Sequence, residues 1–279
     1  MNFLLKQVPD RTAKPRTHGL TMVMEKGMSH REVEDFLSVA HPYVDFVKLG
    51  FGTAYNTTRL EEKLRLYSEA GIPVYFGGTL FEAFVVRNQF DDYRSVLDKF
   101  GVRYVEVSDG SLNIPHDKKC EYIRILSRDF RVLSEVGSKD AEKIIPPYKW
   151  IELMKNELSA GSYKVIAEAR ESGNVGIFRG SGEVRSGLVD EILTQISADD
   201  IIWEAPKKNQ QVWFIKLIGP NVNLGNISPQ EILSLETTRV GLRGDTFGDF
   251  VDIKQAKFDT RGLNGIRRYS DIVNAREGR

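Results

Sequence analysis

The chain alternates between short runs of apolar, often β-branched residues and longer segments whose apolar residues recur at helical spacing. One such segment contains Val33, Phe36, Leu37 and Ala40, which lie three and four positions apart, as on one face of an amphipathic helix. Eight strand–helix units follow one another in this way, and parallel strands need crossover helices between them. The pattern therefore predicts the α/β class and a closed (β/α)8 TIM barrel formed by a single domain.

The same pattern gives the bounds of the predicted elements. The predicted strands are Leu20–Met24, Val44–Leu49, Pro73–Phe76, Val102–Val107, Arg131–Val136, Tyr163–Ala167, Ile201–Glu204 and Val222–Leu224. The predicted helices are Ser29–Ala40, Arg59–Ala70, Leu80–Phe100, Asp117–Arg128, Pro147–Ala160, Leu188–Ile196, Asn209–Ile218 and Pro229–Arg239. An open doubly wound sheet is the alternative fold, but no predicted strand is followed by a GxGxxG motif or a P-loop.

The predicted barrel covers residues 19–250 and leaves a segment at each end. Residues 1–18 are basic and contain prolines, and we expect an N-terminal arm across the bottom of the barrel or against a partner subunit. Residues 251–279 are polar and include several arginines, and we expect a C-terminal tail.

Four glutamates interrupt the apolar character of successive predicted strands. Glu106, Glu135, Glu168 and Glu204 lie at or just beyond the carboxyl ends of four of these strands. A carboxylate is a poor strand former, and burying one is costly unless it is paired or bound to a cation. Because active sites of (β/α)8 barrels lie at the carboxyl ends of the strands, the glutamates predict a polar ring at that mouth.

Composition and charge narrow the classes of partner. The 279 residues fit one barrel, and a hydrophobic fraction of 41% supports a sizeable core. Basic and acidic residues number 39 each, which does not favour nucleic acid or an anionic membrane as the main partner. Cys120 is the single cysteine, so no intramolecular disulfide can form, and the chain start does not resemble a signal peptide. We expect a cytoplasmic protein that does not span a membrane.

Nine segments around the ends of the predicted strands resemble one enzyme family. In chain order they read GLTMVMEKG, VDFVKLGFGT, VYFGGTLFE, VEVSDG, EVGSK, EARESG, EAPKKNQQ, VNLGNIS and SLETTRVGLRGDTFG. Together they resemble the phosphosulfolactate synthase family over roughly Gly19–Gly248. The resemblance implies a Mg²⁺-dependent carbon–sulfur lyase that adds sulfite to C3 of phosphoenolpyruvate and forms (2R)-2-O-phospho-3-sulfolactate, the first step of one route to coenzyme M. It also implies a homo-oligomer, for which a trimer is one candidate.

Two segments depart from the pattern expected in archaeal members of the family. Glu25–Lys26 stands where we expect Asp–Lys, and AEARESG stands where EGRESG is usual. Both departures keep the charge pattern, so we interpret them as subfamily drift. Relatives also occur in bacteria that do not make methane, where sulfolactate would be the end product, and the pathway therefore stays open at this point.

The implied reaction needs positively charged groups in the active site, because both reactants are anions and the negative charge of an enolate develops as sulfur attacks C3. A divalent cation on the carboxylate and a positioned lysine acid would meet this need. Hard oxygen ligands suit Mg²⁺, and the candidate ligands are Glu106, Glu135 and Glu168, with Asp109 and Glu204 in reserve. The catalytic candidates are Lys139, which the resemblance suggests as the proton donor to C2, together with Lys48 and Glu168. Structural ion pairs are the alternative for each acid and for Lys48.

The substrate anions would be held by basic side chains, hydroxyls, amides and close backbone approach. Arginine can bind a phosphate or sulfonate through two parallel hydrogen bonds, and glycine lets the backbone approach a ligand. The candidates for these contacts are Lys26, Gly78, Thr79, Ser108, Arg170, Asn223 and Arg243. Salt bridges between loops, a ligand-free tight turn and a helix cap are the alternatives.

The residues by themselves are also compatible with two other functions. One is another enolate-forming barrel, such as a lyase or aldolase acting on a small anion, in which Lys48 or Lys164 could form a Schiff base. The other is a barrel that has lost its chemistry and serves as a binding protein. The four histidines are scattered along the chain, which does not favour a zinc site.

Overall fold

Eight parallel strands alternate with helices in the computed structural model, which describes residues 3–138 and 145–251. The strands are β1 (Thr21–Glu25), β2 (Phe46–Leu49), β3 (Val74–Phe76), β4 (Tyr104–Val107), β5 (Arg131–Val136), β6 (Ser162–Ala167), β7 (Ile201–Glu204) and β8 (Leu224–Ile227). They form one sheet in the order β3-β2-β1-β8-β7-β6-β5-β4. Every strand pairs with its sequence neighbour and β8 pairs with β1, except that β3 and β4 share no ladder in the described chain. The predicted barrel and its single-domain organisation are therefore confirmed.

Ten α-helices surround the described part of the sheet. They are α1 (His30–Ala40), α2 (Thr53–Asn56), α3 (Leu60–Glu69), α4 (Gly78–Val85), α5 (Phe90–Lys99), α6 (His116–Leu126), α7 (Pro147–Ala160), α8 (Ser186–Leu193), α9 (Lys208–Ile218) and α10 (Ile232–Arg239). Short 3-10 helices span His41–Tyr43, Ala198–Asp200 and Pro229–Glu231. None of the described helices is long and apolar enough to cross a membrane.

Most predicted elements differ from the observed ones only at their ends, α2 was not predicted, and two differences have a clear physical cause. The single helix predicted over Leu80–Phe100 is interrupted between α4 and α5, where Asn88 has a φ of 56°, a left-handed conformation that ends helical hydrogen bonding. The last strand was predicted at Val222–Leu224, but β8 begins at Leu224. Its second and third residues are glycine and asparagine, which are depleted in strands, so the apolar pattern stopped too early.

The core fills the barrel and the layer between strands and helices. All residues of β1, β2, β3, β7 and β8 are buried, as expected when both faces of a parallel sheet are covered. The helices contribute their apolar faces, such as Val33, Phe36 and Ala40 of α1. At the start of α1 a capping box is present, because Ser29 and Glu32 exchange hydrogen bonds.

A buried arginine closes the amino-terminal end of the barrel. The guanidinium of Arg239, at the end of α10, donates to the carbonyl oxygens of Pro220 and Val222 at 2.7 Å each and to that of Leu20 at 3.2 Å. Burial lowers the pKa of Arg239 to about 9, which still leaves the group charged at neutral pH. The barrel is therefore plugged at this end by a cation that binds backbone carbonyls of two neighbouring strand starts.

Part of the predicted N-terminal arm lies against the same end. Arg11 forms an ion pair with Glu236 at 2.9 Å, and Arg16 forms one with Asp45 at 3.2 Å. Asp45 in turn accepts a hydrogen bond from the backbone N–H of Thr21 at 2.9 Å. Of the predicted tail, residues 252–279 lie outside the described residues.

Replacing the plug should destabilise the fold. Arg239→Met leaves at least three buried carbonyl oxygens without their charged donor, so we expect the free energy of unfolding to fall by about 3 kcal/mol. Chemical denaturation monitored by tryptophan fluorescence measures this change. Arg87→Met is the control, since Arg87 is exposed and should change stability little. Equal stability of both variants would contradict the assigned role.

Candidate active site

The four glutamates predicted to form a ring lie side by side at the carboxyl-terminal mouth of the barrel. Glu106 belongs to β4, Glu135 to β5 and Glu204 to β7, and Glu168 directly follows β6. These four strands are consecutive in the sheet, so their carboxylates meet at one side of the mouth. None of the four residues is more than 4% exposed.

Lys48 reaches this ring from β2, across the barrel. Its ammonium lies 2.9 Å from Glu106 Oε2, 3.4 Å from Glu204 Oε1 and 3.7 Å from Glu135 Oε2. Burial by itself would lower the pKa of Lys48, but the attraction of Glu106, Glu204 and Glu135 raises it well above its ordinary value. Lys48 is therefore a fixed ammonium in this arrangement and not a neutral amine.

Three of the glutamates are arranged as a group that could hold a metal ion. Glu135, Glu168 and Glu204 each offer a carboxylate oxygen, and these oxygens lie within 4.8 Å of one another. The fourth, Glu106, is held by Lys48 through Oε2 and accepts a hydrogen bond of 2.6 Å from the backbone N–H of Gly78 through Oε1. The ring thus consists of a three-carboxylate group and Glu106, and Lys48 contacts Glu106 and two members of that group.

The charge of the ring favours a bound cation. Four buried carboxylates face one lysine, and burial raises the pKa of Glu106 and raises that of Glu204 to about 7, although the charge of Lys48 acts against both shifts. Such a cluster needs protons or a cation to offset its repulsion. Carboxylate oxygens suit a hard divalent ion such as Mg²⁺, so the donor set of Glu135, Glu168 and Glu204 fits that metal.

A cavity of about 350 Å³ opens above the ring. It is lined by residues from the ends of all eight strands and the loops that follow them: Met24, Lys48, Phe51, Gly77, Gly78, Thr79, Glu106, Ser111, Glu135, Glu168, Arg170, Glu171, Ser172, Glu204 and Asn226. A wider groove of about 750 Å³ lies outside the barrel between α3 and α5. We assign the site to the smaller cavity, because the carboxylate group lies there and the groove has no comparable cluster among the described residues.

Three of the residues predicted to bind substrate line this cavity. Gly78 and Thr79 form the start of α4, and Arg170 follows β6. A side chain at position 78 would clash with the hydroxyl of Ser108 and lie 2.8 Å from Glu106 Oε1, so the site requires glycine there. Arg170 has a φ of 54°, and its backbone N–H donates to Glu168 Oε1 at 2.5 Å.

Other predicted residues lie close by but make structural contacts. Lys26 pairs with Glu171 at the rim. Ser108 donates to Glu82 at 2.5 Å, and Asp109 pairs with Lys119 at 2.8 Å. Asp109, predicted as a reserve metal ligand, is paired with Lys119 and is not part of the three-carboxylate group.

Two further predictions fall outside the cavity, and one falls outside the described residues. Asn223 precedes β8 and lies at the opposite end of the barrel, where it donates to the carbonyls of Asp199 at 2.9 Å and Ile201 at 3.0 Å. The sequence placed Asn223 near the end of the last strand, whereas β8 starts after it. Arg243 follows α10 and does not line the cavity. Lys139 lies outside the described residues.

Several buried ionic groups that support the site were not predicted. Glu82 of α4 accepts from Ser108 and, at 2.7 Å each, from the backbone N–H groups of Ser111 and Leu112. An acid within the apolar helix sequence GTLFEAFV was the available signal. Glu25, at the end of β1, pairs with Lys63 at 3.1 Å and does not join the ring.

A third buried ionic group is centred on Lys119, next to β5. Lys119 of α6 lies 2.8 Å from Asp109 and from Glu157, and it donates to the backbone oxygen of Glu135 at 2.5 Å. Lys119 is 1% exposed and therefore fixes the loop after β4 relative to the end of β5. No sequence pattern identified this contact, because the three partners are distant along the chain.

The raised pKa of Glu204 predicts a pH dependence of stability in chelator-treated protein. The folded protein binds this proton more tightly than the unfolded chain does, since the pKa is about 7 when folded and 4.5 in the ordinary case. The stabilisation of the fold by this bound proton is fully present below about pH 4.5 and is lost as the pH rises through about 7. We expect Tm to fall from about pH 5 to about pH 8, and less steeply in Glu204→Gln.

Thermal unfolding at a series of pH values in the presence of a chelator measures this difference. Glu62→Gln serves as the control, because Glu62 is at the surface in an ion pair with Arg59. Parallel pH profiles for Glu204→Gln and the unsubstituted chain would contradict the assignment.

Comparisons with known proteins identify the family. A model of the (2R)-phospho-3-sulfolactate synthase (ComA) family matches residues 9–245. A phosphosulfolactate synthase of Bacillus subtilis (strain 168) is 43% identical over 250 residues, covering 88% of this chain and 99% of the relative. One of Methanothermobacter thermautotrophicus is 42% identical over 254 residues, covering 89% and 98%.

Solved structures support the fold. The 3-hexulose-6-phosphate synthase of Salmonella typhimurium superimposes with a TM-score of 0.52 at 12% identity, covering 80% of this chain and all of that chain. At this identity the likeness concerns the fold alone. Taken with the family model and the two relatives, which confirm the resemblance expected from the sequence, the chain belongs to the phosphosulfolactate synthase family.

Proposed function

We propose that this enzyme adds sulfite to C3 of phosphoenolpyruvate and forms (2R)-2-O-phospho-3-sulfolactate. The observation that carries the proposal is the buried carboxylate group facing a charged lysine in the mouth cavity, in a member of this family. Such a site handles a cation and small anions together. A carbon–sulfur bond-forming reaction between two anions needs this combination.

Mg²⁺ is the proposed cofactor, and Glu135, Glu168 and Glu204 are the residues that would hold it. Bound there, the ion would supply positive charge to the substrate carboxylate, on which negative charge develops during the addition. Glu106 is assigned a different task, since its carboxylate is held between Lys48 and the backbone of Gly78. It fixes the position of the lysine.

Lys48 would act as a fixed positive charge beside the reacting anions. Its raised pKa argues against a role as a general base or as the neutral amine of a Schiff base. Lys164, the other lysine considered for a Schiff base, donates to the carbonyl of Asp199 at 2.7 Å, at the amino-terminal end of the barrel. The aldolase alternative therefore has little support among the described lysines.

The remaining steps concern the anions and one proton. The sulfur lone pair forms the bond to C3, the electrons of the C2–C3 double bond move towards C2 and the carboxylate, and a proton is then added at C2. Arg170 and the start of α4 at Gly78 and Thr79 are proposed to hold the phosphate or the sulfonate. The proton donor proposed is Lys139, which rests on the family resemblance because it lies outside the described residues.

Loss of phosphoenolpyruvate in the presence of sulfite tests the reaction. We expect turnover that requires both sulfite and Mg²⁺. Glu135→Gln and Glu168→Gln should each raise the Mg²⁺ concentration for half-maximal activity by at least about tenfold, because each removes a proposed ligand charge. Glu62→Gln, at the surface, should leave it unchanged.

The outcome separates the candidate functions. Folded protein that does not turn over these substrates with Mg²⁺ present would contradict the proposal. Covalent trapping of a keto acid by borohydride, lost in Lys48→Met, would support the aldolase alternative instead. Binding of small anions without turnover of any of them would support a binding protein.

Lys139→Ala tests the proton donor separately. We expect kcat to fall by about 100-fold or more, while the Mg²⁺ requirement stays unchanged, because a general acid acts on C2 and does not hold the metal. Lys149→Ala is the matched control, since Lys149 lies on the surface of α7 in an ion pair with Glu152. Unchanged kcat in Lys139→Ala would contradict this assignment.

Three further proposals concern the oligomeric state, the location and the pathway. We propose a homo-oligomer, with a trimer as one candidate, and a cytoplasmic location. We also propose that the product serves either coenzyme M formation or sulfolactate formation. Size-exclusion chromatography with light scattering determines the oligomeric state.

A further inference from the structure

Strand β8 contains an irregularity at the mouth of the barrel. Thr21 of β1 pairs with Leu224, and Val23 pairs with Ile227, so β8 uses one residue more than β1 between these pairs. Asn226, within this stretch, has a φ of 56°. The extra residue is a β-bulge, a feature that commonly redirects a side chain beside an active site.

The carboxamide of Asn226 has no hydrogen-bonding partner among the described residues. The residue is 5% exposed, and its Oδ1 atom is buried without a partner. The one hydrogen bond of Asn226 outside the strand ladder is weak and comes from its backbone N–H, 3.5 Å from Met22 Sδ. The acceptor Oδ1 and the donor NH2 group are thus both unpaired among the described residues, whereas buried polar groups in folded proteins are nearly always paired.

Asn226 lies at the cavity that holds the carboxylate ring. Asn226 lines that cavity together with Lys48 and Glu204, and its neighbour Gly225 is paired in register with Glu204. Close packing fixes this part of β8, since a Cβ atom at Gly225 would lie 2.7 Å from Met22 Cε and 3.0 Å from Ile202 Cγ2. The position of Asn226 is therefore determined by a rigid strand and not by a loose loop.

Backbone strain is concentrated around the same cavity. Six described residues other than glycine have positive φ, and three of them, Phe51, Arg170 and Asn226, line it. Conformations of this kind are retained where the surrounding structure and the function require them. The bulge, the unpaired carboxamide and the position at the cavity thus all favour a ligand-binding role for Asn226.

We propose that Asn226 is a substrate-binding residue whose carboxamide NH2 group, the donor half of the amide, donates a hydrogen bond to an anionic oxygen of the substrate. This inference rests on the proposed function, in which both substrates are anions. A neutral amide suits the position, because another carboxylate beside Glu204 would repel the same anions. Asparagine also tolerates positive φ better than most other residues, so it satisfies the backbone and the ligand together.

A purely structural role makes a different prediction from a binding role. If asparagine were present only because it tolerates positive φ, glycine would replace it without loss, since glycine adopts this conformation freely. Asn226→Gly therefore keeps the backbone geometry and removes the carboxamide. Asn88→Gly is the matched control, because Asn88 has the same φ of 56° and lies on the surface between α4 and α5.

The experiment measures Tm, steady-state kinetics and anion binding for the three proteins. For Asn226→Gly we expect a Tm equal to or above that of the unsubstituted chain, and a kcat/KM for phosphoenolpyruvate at least about tenfold lower. The rise in Tm caused by phosphoenolpyruvate, or by inorganic phosphate as the probe, should shrink in the same variant. Asn88→Gly should retain both the kinetics and the anion effect.

The possible results separate this inference from the proposed reaction. Unchanged kcat/KM and unchanged anion stabilisation in Asn226→Gly would overturn the binding role. No turnover by the unsubstituted chain, combined with stabilisation by phosphate that Asn226→Gly loses, would contradict the reaction and support Asn226 as an anion ligand. An unsubstituted chain that neither turns over nor responds to any of these anions would overturn both.

Discussion

Repulsion among buried carboxylates is the constraint on which the rest of this site depends. Four consecutive strands, β4 to β7, bring their glutamates to one side of the mouth, where water is largely excluded. Closure of the barrel places Lys48 of β2 opposite them, so one ammonium attracts three of the four carboxylates. An open sheet would leave β2 far from β4 to β7 and would lose this neutralisation. The fold therefore determines how the carboxylates are neutralised, and a divalent cation would offset their remaining negative charge.

Ionic contacts behind the cavity keep the ring in place. Lys119 joins the loop after β4 to the backbone at the end of β5. Glu82 accepts a hydrogen bond from Ser108, at the start of the loop after β4. Lys63 holds Glu25 at the end of β1. Each of these groups is buried and paired away from the cavity, so they restrict the strand ends without adding ligands. Rigid support of this kind matters for a site whose carboxylates repel one another and would otherwise separate.

The sequence predicted the barrel well because apolar strands and amphipathic helices alternate with little ambiguity. It also predicted which end of the strands carries Glu106, Glu135, Glu168 and Glu204, since buried acids are rare in parallel strands. It ended the last strand at Leu224, because the Gly–Asn pair of β8 hid the rest of the strand, and so placed Asn223 near the end of the strand instead of before it. The orientation of a side chain depends on packing between distant segments, which no local pattern contains.

The two ends of the barrel use opposite charges for opposite purposes. At the amino-terminal end the cation of Arg239 binds carbonyl oxygens of neighbouring strand starts and seals the interior. At the carboxyl-terminal end carboxylates accumulate, and Lys48 contacts three of them. The excess negative charge of the ring would repel an anion, so an anion can approach it only where positive charge is added, and the open side of the mouth carries Arg170. The bulge in β8 and the left-handed backbone at Arg170 both lie at this open end, and such conformations persist only where the surrounding structure holds them in place.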